Sequence, residues 1–81
     1  MKNLLDLRGT IPPFTLLKLT DGFRKLRSGE IMEVIGTNPD SKKEILNVLA
    51  ALLCEVLYVD NTKNFYFIRI RKLANNKQTG T

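Results

Sequence analysis

The sequence contains no histidine, no tryptophan and a single cysteine, Cys54, among its 81 residues. Without histidine the commonest general base is missing, and the aspartates and glutamates offer no spacing that fixes two carboxylates side by side. One cysteine cannot close an internal disulfide, and with no second thiol and no imidazole a typical zinc site has no ligand set. Glycine-rich phosphate-binding patterns are absent as well. No apolar run approaches the ~20 residues of a membrane helix, and the opening MKNLLDLRG lacks the long apolar stretch and small-residue cleavage site of a secretory signal. The expectation is a cytoplasmic, non-membrane protein without metal or cofactor, in which catalysis has no visible machinery.

Present instead is the composition of one small globular domain, 43% hydrophobic and 26% charged. A chain of this length supports a single modest core. Thirteen lysines and arginines against eight acidic residues give a net charge of +5. That balance biases association towards acidic protein surfaces or polyanions, and a solvated basic surface accounts for it equally well.

Leu5 and Leu7 alternate with Asp6 and Arg8, which predicts a short first strand over 4–7, and Gly9 lets the chain turn. Pro12 and Pro13 suit the opening of a helix, where the first N–H groups have no intrahelical partner. Leu16, Leu19, Phe23 and Leu26 then recur at spacings of three and four, one buried stripe of a helix over 13–27. Within it, Asp21-Gly22 is a place to bend or fray, and Ser28-Gly29 offers a left-handed cap. A second strand over 30–36 is apolar on both faces and therefore expected in the sheet interior. Asn38-Pro39 signals a turn, Ser41 with Glu44 reads as a capping box, and a second helix follows over 42–53. Its stripe is Ile45, Val48, Leu49 and Leu52, yet Leu46, Ala50 and Leu53 leave the flank apolar too, a candidate interface strip or a wide core face. Strands over 55–59 and 65–71 flank a turn-forming segment and read as a hairpin. In the last strand Tyr66, Ile68 and Ile70 suit the core, and Phe65, Phe67, Arg69 and Arg71 the open face. The predicted order βαβαββ gives an α+β two-layer sandwich: a four-stranded mixed sheet, strands one to three parallel and the fourth antiparallel, with both helices on one face. Residues 1–72 form the domain, and the polar tail 73–81 is expected to be flexible.

Asp6, Gly9 and Pro13 match the Asp-x-x-Gly-x-x-Cys-Pro-x-Pro junction of the TusA/SirA family of small sulfur carriers, and on these residues the chain resembles that family. The likeness continues through Ser28-Gly29-Glu30 and the second strand, through Thr37-Asn38-Pro39-Asp40-Ser41 before the second helix, and into the basic last strand. It covers 4–72 and implies the same two-layer sandwich. The departures fall where the family's chemistry lies: its cysteine position is Pro12, and its second proline is Thr15. A sulfur carrier needs a thiolate at a helix N-terminus, where the dipole lowers the thiol pKa, and proline has no such group.

The resemblance thus implies a non-catalytic module that docks to a sulfur-relay or regulatory protein partner, as a monomer or weak homodimer, with Asp6, Gly9, Pro12 and Pro13 as a motif remnant. One alternative is a nucleic-acid-binding domain that stacks bases on Phe65 and Phe67 and meets phosphates with Arg69 and Arg71. The other is a sulfurtransferase acting through Cys54. In the predicted topology Cys54 starts the third strand, at the opposite end of the sheet from the motif, and it reads as a buried structural cysteine.

Overall fold

The computed structural model describes residues 3–11 and 13–73; Pro12 and the tail from 74 onwards, which includes nearly all of the segment expected to be flexible, lie outside the described residues. The elements are β1 (Asn3–Asp6), α1 (Phe14–Arg24), β2 (Ile31–Gly36), α2 (Pro39–Ala51), β3 (Cys54–Asn61) and β4 (Tyr66–Lys72), the predicted order βαβαββ. The sheet order is β1-β2-β4-β3. β1 pairs parallel with β2, and β4 runs antiparallel to both β2 and β3. β1, β2 and β3 therefore point one way, and β4 lies between β2 and β3 pointing the other. Both helices pack on one face and leave the other open.

The core sits between that face and the helices, because alternate strand residues point the same way. Met32 and Val34 of β2 and Tyr66, Ile68 and Ile70 of β4 are buried against Leu19 and Phe23 of α1, Ile45 and Leu49 of α2, and Leu7 and Leu26 beside them. Leu16, Val48 and Leu52 are half-buried at the edge of this cluster, and Thr15 is fully buried in α1, where no apolar stripe predicted it. Gly36 ends β2 under Tyr66, whose ring and hydroxyl occupy the space a Cβ would need.

Several boundaries differ from expectation. α1 ends at Arg24, three residues early, because the chain tightens there: Lys25 N–H donates to the Gly22 carbonyl and Leu26 N–H to that of Phe23. Gly22 lies beside Met32 and Leu5, in the last turn of the helix. Gly29, with φ +89°, belongs to the turn into β2 rather than to the helix end. α2 starts at Pro39, with Asn38 as its cap in place of Ser41: the Asn38 Oδ1 accepts from Asp40 N at 2.9 Å and Ser41 N at 3.4 Å. Proline at the first helical position has no N–H to satisfy, so the asparagine before it is the natural stop. Ser41 is instead buried. β3 is longer than predicted, with a bulge between Val56 and Tyr58, a feature that twists an edge strand.

The helix and sheet layers are joined by hydrogen bonds at Lys72, the last residue of β4, which is 1% exposed. Its Nζ donates to the carbonyls of Phe23 and Leu26, both at 2.9 Å, and stands 4.6 Å from the Phe23 ring centroid. These carbonyls lie at and just past the end of α1, where acceptors lose their i+4 partners, and that of Phe23 also accepts from Leu26 N–H. The Lys72 backbone also fixes the turn into β2, accepting from Gly29 N at 2.6 Å and donating to the Glu30 carbonyl at 2.9 Å. Lys72→Met keeps most of the volume and removes the donor, so chemical denaturation is expected to show a loss of about 1 to 3 kcal/mol. Unchanged stability would mean that the two carbonyls find other partners.

Candidate functional site

At the carboxyl end of β1 the chain must leave the sheet and enter α1. Leu7 N–H extends the ladder to the Ile35 carbonyl at 2.7 Å, and Arg8 turns back on Asp6. The guanidinium donates through Nε to Asp6 Oδ1 at 2.9 Å and through Nη2 to Oδ2 at 2.7 Å, while Arg8 N–H adds a third bond at 3.1 Å. Gly9 follows with φ +81°, a conformation that side chains rarely adopt. Its N–H donates to Thr37 Oγ1 at 3.2 Å, tying this turn to the loop before α2.

Beneath the turn lies a line of hydroxyls. Thr10 Oγ1 donates to the Leu7 carbonyl at 2.7 Å and lies 2.8 Å from Thr15 Oγ1, which is 3.4 Å from Ser41 Oγ. Thr15 and Ser41 are buried, so this chain joins the first turns of both helices inside the protein. Pro13 is the N-cap of α1, with no side-chain hydrogen bond to the helix and no acidic residue in the first turn. The arrangement holds the start of α1 at the carboxyl ends of β1 and β2, with no thiol among its described residues.

Outside this turn, Ile11, Phe14 and Leu17 follow one another at spacings of three and are each more than half exposed. They fall off the buried stripe of α1, and that offset is the signal in the sequence that marks them as a surface row. Asp6 ends β1, Gly9 lies in the turn that follows and Pro13 caps α1, while Pro12 lies outside the described residues.

Cys54 does not join them. Asp6 registers with Ile35, and Ile35 with Phe67, whereas Cys54 registers with Lys72. Five residues of strand separate the two rungs, about 17 Å at strand rise. Burial pushes the Cys54 thiol up from its ordinary pKa, and its Sγ is 3.4 Å from the Leu49 carbonyl.

On the open face the expected quartet divides. Phe65 precedes β4, in the turn closed by Thr62 N–H to the Phe65 carbonyl at 2.8 Å. Phe67 packs edge-on to Tyr58 at 6.2 Å, and Arg69 stacks over both rings at 5.7 and 6.0 Å. Arg69 Nε also donates to Glu33 Oε2 at 2.9 Å and Arg71 Nη1 to Glu55 Oε1 at 3.0 Å. Each arginine registers opposite its glutamate. Their charge is therefore spent within the sheet, which removes the main reason to place phosphates there. The α2 strip divides too: Leu46 is half-buried against the core, while Ala50 and Leu53 are exposed. No group of three metal-ligating side chains and no helix long and apolar enough to cross a membrane occurs among the described residues.

The family model described as sulfurtransferase TusA matches residues 3–72. No curated protein matches the chain.

The Arg8 clamp has a measurable signature. Side-chain and backbone hydrogen bonds from Arg8 hold the Asp6 carboxyl down at about 2, against an ordinary 3.8. A carboxylate lowered in the folded state stabilises the fold above its unfolded pKa, and that contribution is lost as pH falls towards 2. Carbon-detected NMR titration is expected to place the Asp6 midpoint near 2, and Arg8→Ala to return it to the ordinary range. A midpoint already ordinary in the wild type would show that the clamp is open in solution.

Proposed function

The chain belongs to the TusA sulfurtransferase family, and from that premise we propose that it is a non-catalytic module that docks to a sulfur-relay or regulatory protein without itself carrying persulfide. Family members act in relays with protein partners, so a docking surface is part of the inheritance even where the sulfur atom is not. The observation that carries the reading is the proline at the family's cysteine position, set in a junction whose other supports are intact. The Asp6–Arg8 clamp, the left-handed Gly9 and the hydroxyl line from Thr10 to Ser41 still hold the start of α1 in place.

A carrier's terminal sulfur must be exposed, nucleophilic and presented where two partners can reach it in turn. Cys54 meets these needs poorly, since burial raises its thiol pKa and it lies about five strand residues, or roughly 17 Å, from the motif rung. The exposed row Ile11, Phe14 and Leu17 beside the junction supplies what docking requires instead, an apolar surface without a cover among the described residues. On this reading the protein works in the cytoplasm, where relay partners are met.

The test is sulfur loading. After incubation with a cysteine desulfurase, cysteine and radiolabelled sulfur, label is expected to be absent or confined to Cys54. Label that survives in Cys54→Ala, or relay from the wild type to an acceptor, would overturn the reading.

A further inference from the structure

An open groove of about 570 Å³ lies between the first turns of α2 and the β3–β4 turn, and its walls bring together Lys42, Lys43, Lys63, Leu46, Phe65 and Tyr66. Thr37, which accepts the Gly9 N–H, also lines it, so the groove adjoins the motif junction. Its charge is unbalanced. Arg8, Arg24, Lys25, Arg69 and Arg71 each face a carboxylate. Lys42, Lys43 and Lys63 form no ion pair among the described residues; Lys42 Nζ donates to the neutral amide oxygen of Asn61 at 2.8 Å. Asp40 is the one carboxylate in the lining. Three lysines without an ion pair thus share the groove with one carboxylate, Asp40, which leaves it net positive, beside half-buried Leu46, exposed Phe65 and buried Tyr66.

We propose that this groove receives an extended acidic segment of a protein partner, its carboxylates towards Lys42, Lys43 and Lys63 and an apolar side chain on Leu46 and Phe65. The shape decides against a small anion. Ligand pockets enclose most of a small molecule's surface, whereas nine of the twelve residues lining this groove are exposed, so a small solute would stay wet. A chain segment covers a groove along its length and adds carboxylates in series, each steering association and fixing register. The proposal rests on the partner-docking reading and names the chemistry that the partner brings.

The test uses the full chain, labelled with nitrogen-15, and a short capped peptide of alternating glutamate and leucine, with alternating lysine and leucine as its counterpart and adenosine monophosphate as a small anion. The acidic peptide is expected to give saturable amide shifts over 39–46 and 61–66, weakened by salt, and the basic peptide none. Lys42→Glu with Lys63→Glu, both side chains on the rim, is expected to weaken binding roughly tenfold while leaving the rest of the spectrum in place. Absence of saturable shifts, equal binding by the double variant, or shifts with adenosine monophosphate alone would each overturn the proposal. The sulfur-loading result is independent of the groove: peptide failure with no sulfur relay removes this proposal alone, and sulfur relay removes the docking-only reading whatever the peptide does.

Discussion

Lys72 reaches from the last position of β4 into the layer between sheet and helix and gives its two described hydrogen bonds to the carbonyls of Phe23 and Leu26. A polar head so placed would be costly without partners, and the end of a helix has acceptors in want of donors. The two needs are met together. The lysine side chain meets these carbonyls where α1 tightens and stops, and its backbone bonds Gly29 and Glu30 in the turn into β2. One residue thus joins the end of α1, the entry of β2 and the end of β4.

That other end is held by different physics. The Asp6–Arg8 clamp is exposed, so water competes with it, and its structural worth lies in shaping the turn rather than in net stability. The hydroxyl line is buried and continuous: Thr10, Thr15 and Ser41 share bonds that neither helix could replace alone. Thr15 stands where the family's motif has its second proline, and it links the first turn of α1 to that of α2. The junction is therefore supported without any contribution from a thiol.

Much of this architecture was legible in the chain. The alternation of Tyr66, Ile68 and Ile70 with Phe67, Arg69 and Arg71 states which face of β4 is buried, and the motif around Gly9 states where strand gives way to helix. What was not legible depends on pairings between distant residues. Glu33 meets Arg69 and Glu55 meets Arg71 only because the sheet order puts β4 between β2 and β3; from sequence alone the arginines looked available for phosphate. Ser41 and Asn38 are both good caps, and the choice fell to Asn38 because Pro39 can open the helix and Ser41 is taken by Thr15. The groove was invisible because Lys42, Lys43 and Lys63 belong to a helix and a turn that only the fold brings together.

On the proposed reading, this junction is a carrier scaffold that lacks the family's thiol. Pro12→Cys restores the family's residue at its position and leaves the clamp, Gly9 and the hydroxyl line untouched. Incubated with a cysteine desulfurase and cysteine, Pro12→Cys carrying Cys54→Ala should gain the mass of one sulfur atom, removable by reductant, while Cys54→Ala alone should gain none. A folded double variant that takes up no sulfur would contradict the account, because the surrounding geometry would then not be that of a carrier.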